Sequence, residues 1–415
     1  MVQPGIHLRR SGSDHVAEPP GDDSLSGLGT GLDDAAGFAP LFYRGRPGGD
    51  RRILPSWTKS GSMVKKTPVL IIGAGPYGLS LGHFLHARQT PFLLVGKTME
   101  LWRNHTFDSM KLRSDYATSI LHDPYRRYSF ERFARVWGTS LHRWRGRLPV
   151  TVFRQYIDWC ERQFPFRPEE QYVMSLQQAG PRFRARLQNG DEVVADRVVV
   201  ATGIAHHLHL PPELSVHPRV IHSYHSTSIQ ALQNCRVLVV GAGQSAAESL
   251  AVLQNQGNQV EWYARTPPVF YSEPLNLPKP LFDLILRLPG MLHRLPPRWV
   301  HTGLNRFSAT TITPDFRTAL TGMKRHTLCP PVNDFDVVVA ATGYRYRLED
   351  QSYLHSSLRR KIRTYSGLPL VNQYFASSVP GLHFLGAMTE PFFGPSMKFM
   401  IGSGYAARVL SHALA

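Results

Sequence analysis

Two glycine-rich segments constrain this chain more than any other feature. Gly73-Ala74-Gly75-Pro76-Tyr77-Gly78 follows the apolar run Pro68–Ile72, and Gly241-Ala242-Gly243-Gln244-Ser245-Ala246 follows Val237–Val240. Each opens a helix-like stretch, which gives the strand, tight turn and helix that such a fingerprint requires. The glycines let the backbone turn sharply, and its N–H groups then approach a pyrophosphate at a helix N-terminus. A lone GxGxxG means little in a chain with 34 glycines. Two in this context predict two dinucleotides. Each is answered later by an Ala-Thr-Gly turn after a valine-rich run, with Thr202 and Gly203 in the first and Thr342 and Gly343 in the second. The predicted fold class is therefore α/β, with two Rossmann-like dinucleotide-binding domains. FAD with a nicotinamide that reduces it is the usual pairing.

The 415 residues suffice for two domains, and 42% hydrophobic content is a globular value. Residues 1–62 are rich in Gly, Pro, Ser and Asp without periodicity, and read as a disordered extension without a signal peptide. Residues 63–205 read as the first part of an FAD-binding domain and 206–330 as an inserted NADP-binding domain with a lid-like segment. Residues 331–415 read as the returning part of the FAD-binding domain. Asn189-Gly190 between two strand-like runs signals a hairpin, and Thr266–Leu320 reads as proline-rich and irregular. No apolar run is long enough to cross a membrane. The three cysteines form no CxxC pair, which points to a reducing, cytoplasmic setting and away from dithiol reductases. The net charge of +17 is dispersed rather than clustered, so no nucleic-acid partner is expected. A homo-oligomer stays open.

The second strand of a dinucleotide unit ordinarily ends in a carboxylate that binds the adenosine ribose. After the first fingerprint that place holds Val95-Gly96-Lys97, with Glu100 slightly downstream as a substitute. After the second, Val260–Ala264 ends in Arg265. A guanidinium there suits the 2′-phosphate of NADPH. Gln244 and Ser245 are candidate donors to the same nucleotide, and Lys398 and Asn104 are further polar candidates. His206-His207-x-His209 lies in a proline-flanked loop without a carboxylate cluster, and reads as solvated rather than metal-binding.

Gly241–Glu248 together with Ala341-Thr342-Gly343-Tyr344 resembles the class B flavoprotein monooxygenases, most closely their N-hydroxylating lysine and ornithine branch. Trp102, Met110, Leu112, Asp123-Pro124 and Phe130 match that branch after its FAD fingerprint. The resemblance places the Trp and Met stretch near the flavin ring. The tail Leu382–Gly386 and Phe393-Gly394-Pro395-Ser396-Met397-Lys398-Phe399 is similar to the part of the family that approaches the flavin, which implicates Gly386, Gly394 and Pro395. The implied activity is a monooxygenase that uses NADPH, FAD and O2. It would pass one oxygen atom through a C4a-(hydro)peroxyflavin to a small nucleophilic substrate such as an amine. The family's FxGxxxH signature survives only at His222, with Val216 and Pro218 replacing Phe and Gly. His222 is then either an interdomain hinge residue or a packed histidine without chemistry. An NADPH-dependent flavin reductase and a non-catalytic flavin-binding protein remain alternative readings.

Pro278–Arg298 is apolar on most sides and interrupted by prolines. It reads as a lid, a dimer contact or a membrane-surface segment edged by Lys279, Arg287, Arg294 and Arg298. Tyr116, Tyr125, Tyr128 and Trp144 are candidates for a pocket or for packing.

Overall fold

The computed structural model describes residues 63–140 and 147–415; the expected disordered extension and Trp144 lie outside the described residues. Two sheets carry the two fingerprints. The first runs Phe92–Val95, Val64–Ile72, Glu192–Val200, Arg182–Leu187, Val173–Ala179, and Leu382–Phe384 also pairs with Glu192–Val200. Its strands are parallel around the fingerprint, and the hairpin at Asn189-Gly190 adds the antiparallel ones. The second runs Arg325–His326, Gln259–Tyr263, Arg236–Val240, Val337–Ala340, Val220–His222, and every pairing is parallel. The chain is thus a mixed α/β protein with parallel sheets.

The sequence dictates this locally. Val69–Ile71, Val237–Val239 and Val337–Ala340 are fully buried. Unbroken apolar runs of this kind belong to parallel strands covered on both faces, where an alternating pattern would leave polar side chains inside. Pro76 opens the helix Pro76–Ala87 at a position where its missing N–H costs nothing. That helix lies against the C-terminal helix Ile401–Leu414, with Ser80 and Ser403 hydroxyls 3.1 Å apart.

Two sequence expectations need correction. The return to the first unit, expected at residue 331, comes later. Val337–Ala340 sits between Arg236–Val240 and Val220–His222 in the second sheet, and the chain rejoins the first only at Leu382–Phe384. A Val-Val-Val-Ala strand carries no label for which sheet it joins, so partner choice is a tertiary decision. Thr266–Leu320 is also more regular than its prolines suggest. It holds helices Lys279–Arg287, Pro289–Leu292 and Pro297–Asn305, each with proline in its first two positions. The prolines start these helices rather than break them.

His83, on the inner face of the first fingerprint helix, is fully buried among Tyr128, Phe164 and Phe166, whose rings stand 4.7, 4.9 and 4.9 Å away. Neither ring nitrogen has a hydrogen-bond partner among the described residues. Burial holds its pKa down to about 3, so the ring is neutral at ordinary pH. An orphaned buried polar group costs roughly 1–3 kcal/mol. His83→Leu should therefore raise the melting temperature, read by differential scanning calorimetry; an unchanged or lower value would show that the imidazole is satisfied.

Candidate functional site: paired nucleotide cradles

The two sheets repeat one arrangement at their C-terminal edges. Gly73 leaves its strand with φ +110°, and a Cβ there would lie 2.4 Å from the Ala201 carbonyl oxygen. Gly241 has φ +147°, and its Cβ would lie 2.2 Å from the Ala341 oxygen. The alanine N–H of each answering turn donates back to the fingerprint strand, Ala201 to Ile72 and Ala341 to Val240, both at 2.8 Å. The glycine N–H donates to the neighbouring strand, Gly73 to Val95 at 2.7 Å and Gly241 to Tyr263 at 3.0 Å. Only glycine fits either place.

Beyond this frame the cradles differ. Gly75 has nothing within 4 Å of where a Cβ would stand, and no side chain caps the helix that starts there. Its uncapped first turn faces open space, which suits a pyrophosphate. Gly78 is needed for closeness, since its Cβ would lie 1.9 Å from the Gly73 oxygen. Tyr77 does not point its hydroxyl at solvent. It donates to the carbonyls of Met397 (2.9 Å) and Phe399 (3.1 Å), and burial pushes its pKa well up. The motif tyrosine thus ties the helix start to the C-terminal turn, with Gly386 beside its ring and Gly402 beneath its oxygen.

At the second cradle, Gly243 also begins an uncapped helix, Gln244–Asn255, but a Cβ there would lie 2.9 Å from the Thr310 methyl. Gln244, expected to donate to a nucleotide, uses both ends of its amide inside the protein. Its Nε2 donates to Glu248 Oε1 (2.9 Å) and its Oε1 accepts from the Thr313 N–H (2.9 Å). Ser245 is half-buried at the helix start. Arg265 is exposed two residues past its strand, with no acidic partner among the described residues.

Other expected residues are packed rather than free. Trp102 is half-buried, edge-on to Phe153 at 5.5 Å; Met110 packs on the same core, and Leu112 is buried in it. The Thr202 hydroxyl donates to Gln351 (3.2 Å), and the Thr342 hydroxyl to the His209 carbonyl. Gly203 and Gly343 have positive φ, +66° and +78°. Gly394 lies against Leu292, 2.3 Å from where its Cβ would be, and Pro395 follows it into a short 3-10 turn. Lys398 pairs with the buried Glu390 (3.4 Å) rather than standing free. Asn104 closes a short helix and accepts from Thr227 through its carbonyl. His206 and His207 are not solvated as expected. His207 is buried and meets Gln351 at 2.8 Å, and His206 packs on Tyr353. Among the described residues no group of His, Cys, Asp or Glu forms a metal site.

His222 ends the strand Val220–His222 of the second sheet. Its Nε2 lies 3.0 Å from the Gly343 carbonyl and its Nδ1 accepts from the Tyr224 N–H (3.1 Å). Burial lowers its pKa to about 4, so it is a neutral, fully partnered strut. Tyr224 stacks on His105 at 3.9 Å. Glu100, the substitute ribose carboxylate, is engaged there. Burial pushes its pKa up, but hydrogen bonds from His105 and Tyr172 outweigh that and hold it below the usual value. Lys97 instead stands 5.0 Å over the Tyr172 ring.

Sequence reasoning missed a buried polar group under the second cradle. Glu248 is buried, and burial raises its pKa from 4.5 to about 7 despite Gln244, Arg113 and Arg147. Arg113, directly after Leu112, donates to the Thr311 hydroxyl (2.7 Å) and the Tyr271 carbonyl (3.3 Å). A glutamate on the inner face of a helix, beside Ala246, Ala247 and Leu250, breaks an apolar stripe and was a usable signal. Arg113 had none.

Paired cradles of this build belong with flavin-dependent oxidoreductases. Residues 65–284, more than half of the chain, match the model of the L-lysine 6-monooxygenase/L-ornithine 5-monooxygenase family, and the chain belongs to that family. It is 30% identical over 201 residues to an uncharacterized CzcO-like oxidoreductase of Geobacillus kaustophilus, covering 46% of this chain and 52% of that one. The chain spans about half the length of the curated relatives it matches. The fold resembles the ornithine N-hydroxylase of Kutzneria sp. 744, solved with reduced FAD, NADP+ and L-ornithine. There the TM-score is 0.67 at 16% identity, over 84% of this chain and 99% of that one. L-lysine 6-monooxygenase of Pseudomonas syringae gives 0.65 at 18% identity, over 84% and 99%.

Glu248 makes stability depend on pH. The folded carboxyl keeps its proton to about pH 7, while the unfolded one loses it near 4.5, so stability falls as pH rises between these values and the full loss is present above 7. Glu248→Gln removes the loss. It should stabilise the protein by up to ~3 kcal/mol at pH 8 and by under ~1 kcal/mol at pH 5 in urea unfolding. Equal gains at both pH values would contradict a titrating Glu248.

Proposed function

We propose that this protein is an FAD- and NADPH-dependent monooxygenase that transfers one oxygen atom from O2 to a small nucleophile, with amines as the first class to try. The duplication carries the reading, because each fingerprint glycine is pinned under the carbonyl of its own Ala-Thr-Gly turn. In this reading residues 63–205 and the return from Leu382 onward hold FAD, and the second sheet is an inserted NADPH unit. The open face at Gly75 and the uncapped helix behind it fit the FAD pyrophosphate. Gly73, Gly78, Thr202 and Gly203 shape that cradle, and Trp102, Met110, Leu112, Gly386, Gly394 and Pro395 lie toward the flavin ring. Gly241, Gly243, Ser245, Thr342 and Gly343 shape the second cradle. Arg265, exposed and without an acidic partner among the described residues, takes the 2′-phosphate.

FAD, when bound, supplies the electron transfer and the oxygen chemistry. The chain's own work is to bind, orient and exclude water. That division agrees with the placement of the buried His222 and the half-buried Thr342, whose side-chain polar atoms are tied to backbone groups. The L-ornithine in the Kutzneria structure supports an amine as substrate.

Three measurements bear on this. Gly75→Ala should fold normally yet retain much less flavin per protein by absorbance, whereas Gly73→Ala should lose stability as well; full flavin in G75A would remove the cradle assignment. Arg265→Ala should raise KM for NADPH roughly tenfold or more, the size of a lost charge-assisted contact, and leave KM for NADH alone. An equal effect on both cofactors would refute the 2′-phosphate role. Finally, NADPH consumption with lysine, ornithine and cadaverine should yield hydroxylated amine in step with NADPH. If every electron pair appears as peroxide with each amine, the reductase reading replaces this one.

A further inference from the structure

A cleft of about 910 Å3 opens beside the last turn of the helix Pro76–Ala87, at the end away from the glycine-rich fingerprint. Its walls come from that turn, from residues 122–126, from Leu286–Pro289, and from the C-terminal helix between Gly404 and His412. The cofactor reading uses none of these surfaces.

The charge in this cleft is one-sided. Arg88, Arg126, Arg287 and Arg408 line it, and all four are exposed. The one acid in the lining, Asp123, is consumed. Its side chain is fully buried and accepts from Arg127 Nε (2.9 Å), from the Arg127 N–H (2.7 Å) and from the Tyr125 N–H (3.2 Å). Arg88 is held by the Ser411 hydroxyl (3.2 Å) and His412. Arg126, Arg287 and Arg408 have no acidic partner among the described residues. Arg126 is carried on a left-handed backbone, φ 52°, a conformation that costs a non-glycine residue on the order of 1 kcal/mol. A concave surface lined by one sign of charge concentrates field and counter-ion.

The rest of the lining sets His122 and His412 beside the largely apolar Phe84, Leu286, Ile401 and Tyr405. The helix Lys279–Arg287 contributes Leu286 and Arg287 to this lining and buries Phe282 beside Leu286. Arginines set beside apolar side chains in one concave surface are complementary to one kind of molecule.

We propose that this cleft binds an anionic amphiphile, with a carboxylate or phosphate head among Arg126, Arg287 and Arg408 and an alkyl chain along Phe84, Leu286 and Tyr405. The head group can come from a free acyl anion or from an anionic lipid in a bilayer, and the chemistry of recognition is shared. This site stands whether or not the flavin chemistry proposed above is correct.

The test is calorimetric titration of the full-length, flavin-loaded protein with dodecyl phosphate below its critical micelle concentration. Inorganic phosphate and the neutral dodecyl maltoside serve as comparators. The expected result is saturable one-to-one binding of dodecyl phosphate, at least roughly tenfold tighter than either comparator. The double variant Arg126→Ala/Arg408→Ala should lose roughly tenfold or more of that affinity, with melting temperature and flavin content unchanged. Phe84→Ala should weaken dodecyl phosphate without altering inorganic phosphate, which keeps the chain-binding half testable on its own. Co-sedimentation with phosphatidylglycerol vesicles but not phosphatidylcholine vesicles, lost in the same double variant, would assign the head group to a bilayer. Binding of monomeric dodecyl phosphate alone would assign it to a free amphiphile. Absence of saturable binding, equal binding of the maltoside, or unchanged affinity in the double variant would each overturn the proposal.

Discussion

The close approach of a strand-ending glycine to the carbonyl of a second strand organises this molecule, and it occurs twice. A Cβ at Gly73 or Gly241 would sit 2.4 or 2.2 Å from that oxygen, far inside any contact distance. Because the glycine yields that space, the answering alanine N–H can complete the ladder to the fingerprint strand while the chain turns out above it. The turn, the helix start and the neighbouring strand are thereby brought to one edge. Neither helix start has a side-chain cap among the described residues, which leaves its first-turn N–H groups available to a phosphate. Both cradles inherit their position from this one contact.

Around that shared frame the two sites are tuned differently. At the first, open space stands over Gly75, and the motif tyrosine is turned inward to fasten the C-terminal segment. At the second, the Thr310 methyl stands over Gly243, and Gln244 fastens the segment around Thr313 to the helix. Tyr77 of the first motif, and Gln244, read from the sequence as a ligand donor, each tie a distant segment to the helix start. The cost of burying Glu248 beneath the second site falls on the same tie, since its one side-chain hydrogen bond comes from Gln244. Arg113 fastens the opposite side through Tyr271 and Thr311.

The sequence by itself determined the strands, turns and helix starts at both fingerprints. Unbroken apolar runs, paired glycines and Pro76 act through backbone sterics and local burial, which do not depend on the rest of the chain. It also determined the hairpin at Asn189-Gly190 and the arginine just past the strand Gln259–Tyr263. Only the tertiary structure decided which sheet took Val337–Ala340, because four small apolar residues satisfy either ladder equally. Tertiary packing likewise turned the prolines of Thr266–Leu320 from breaks into helix starts, committed Gln244, Thr202 and Thr342 to partners 69, 149 and 133 residues away, and drew Arg126, Arg287 and Arg408 to one cleft. Hydrogen bonds and charges across such separations leave no periodic trace along the chain, whereas the requirement for a glycine beneath a carbonyl is written at the residue itself.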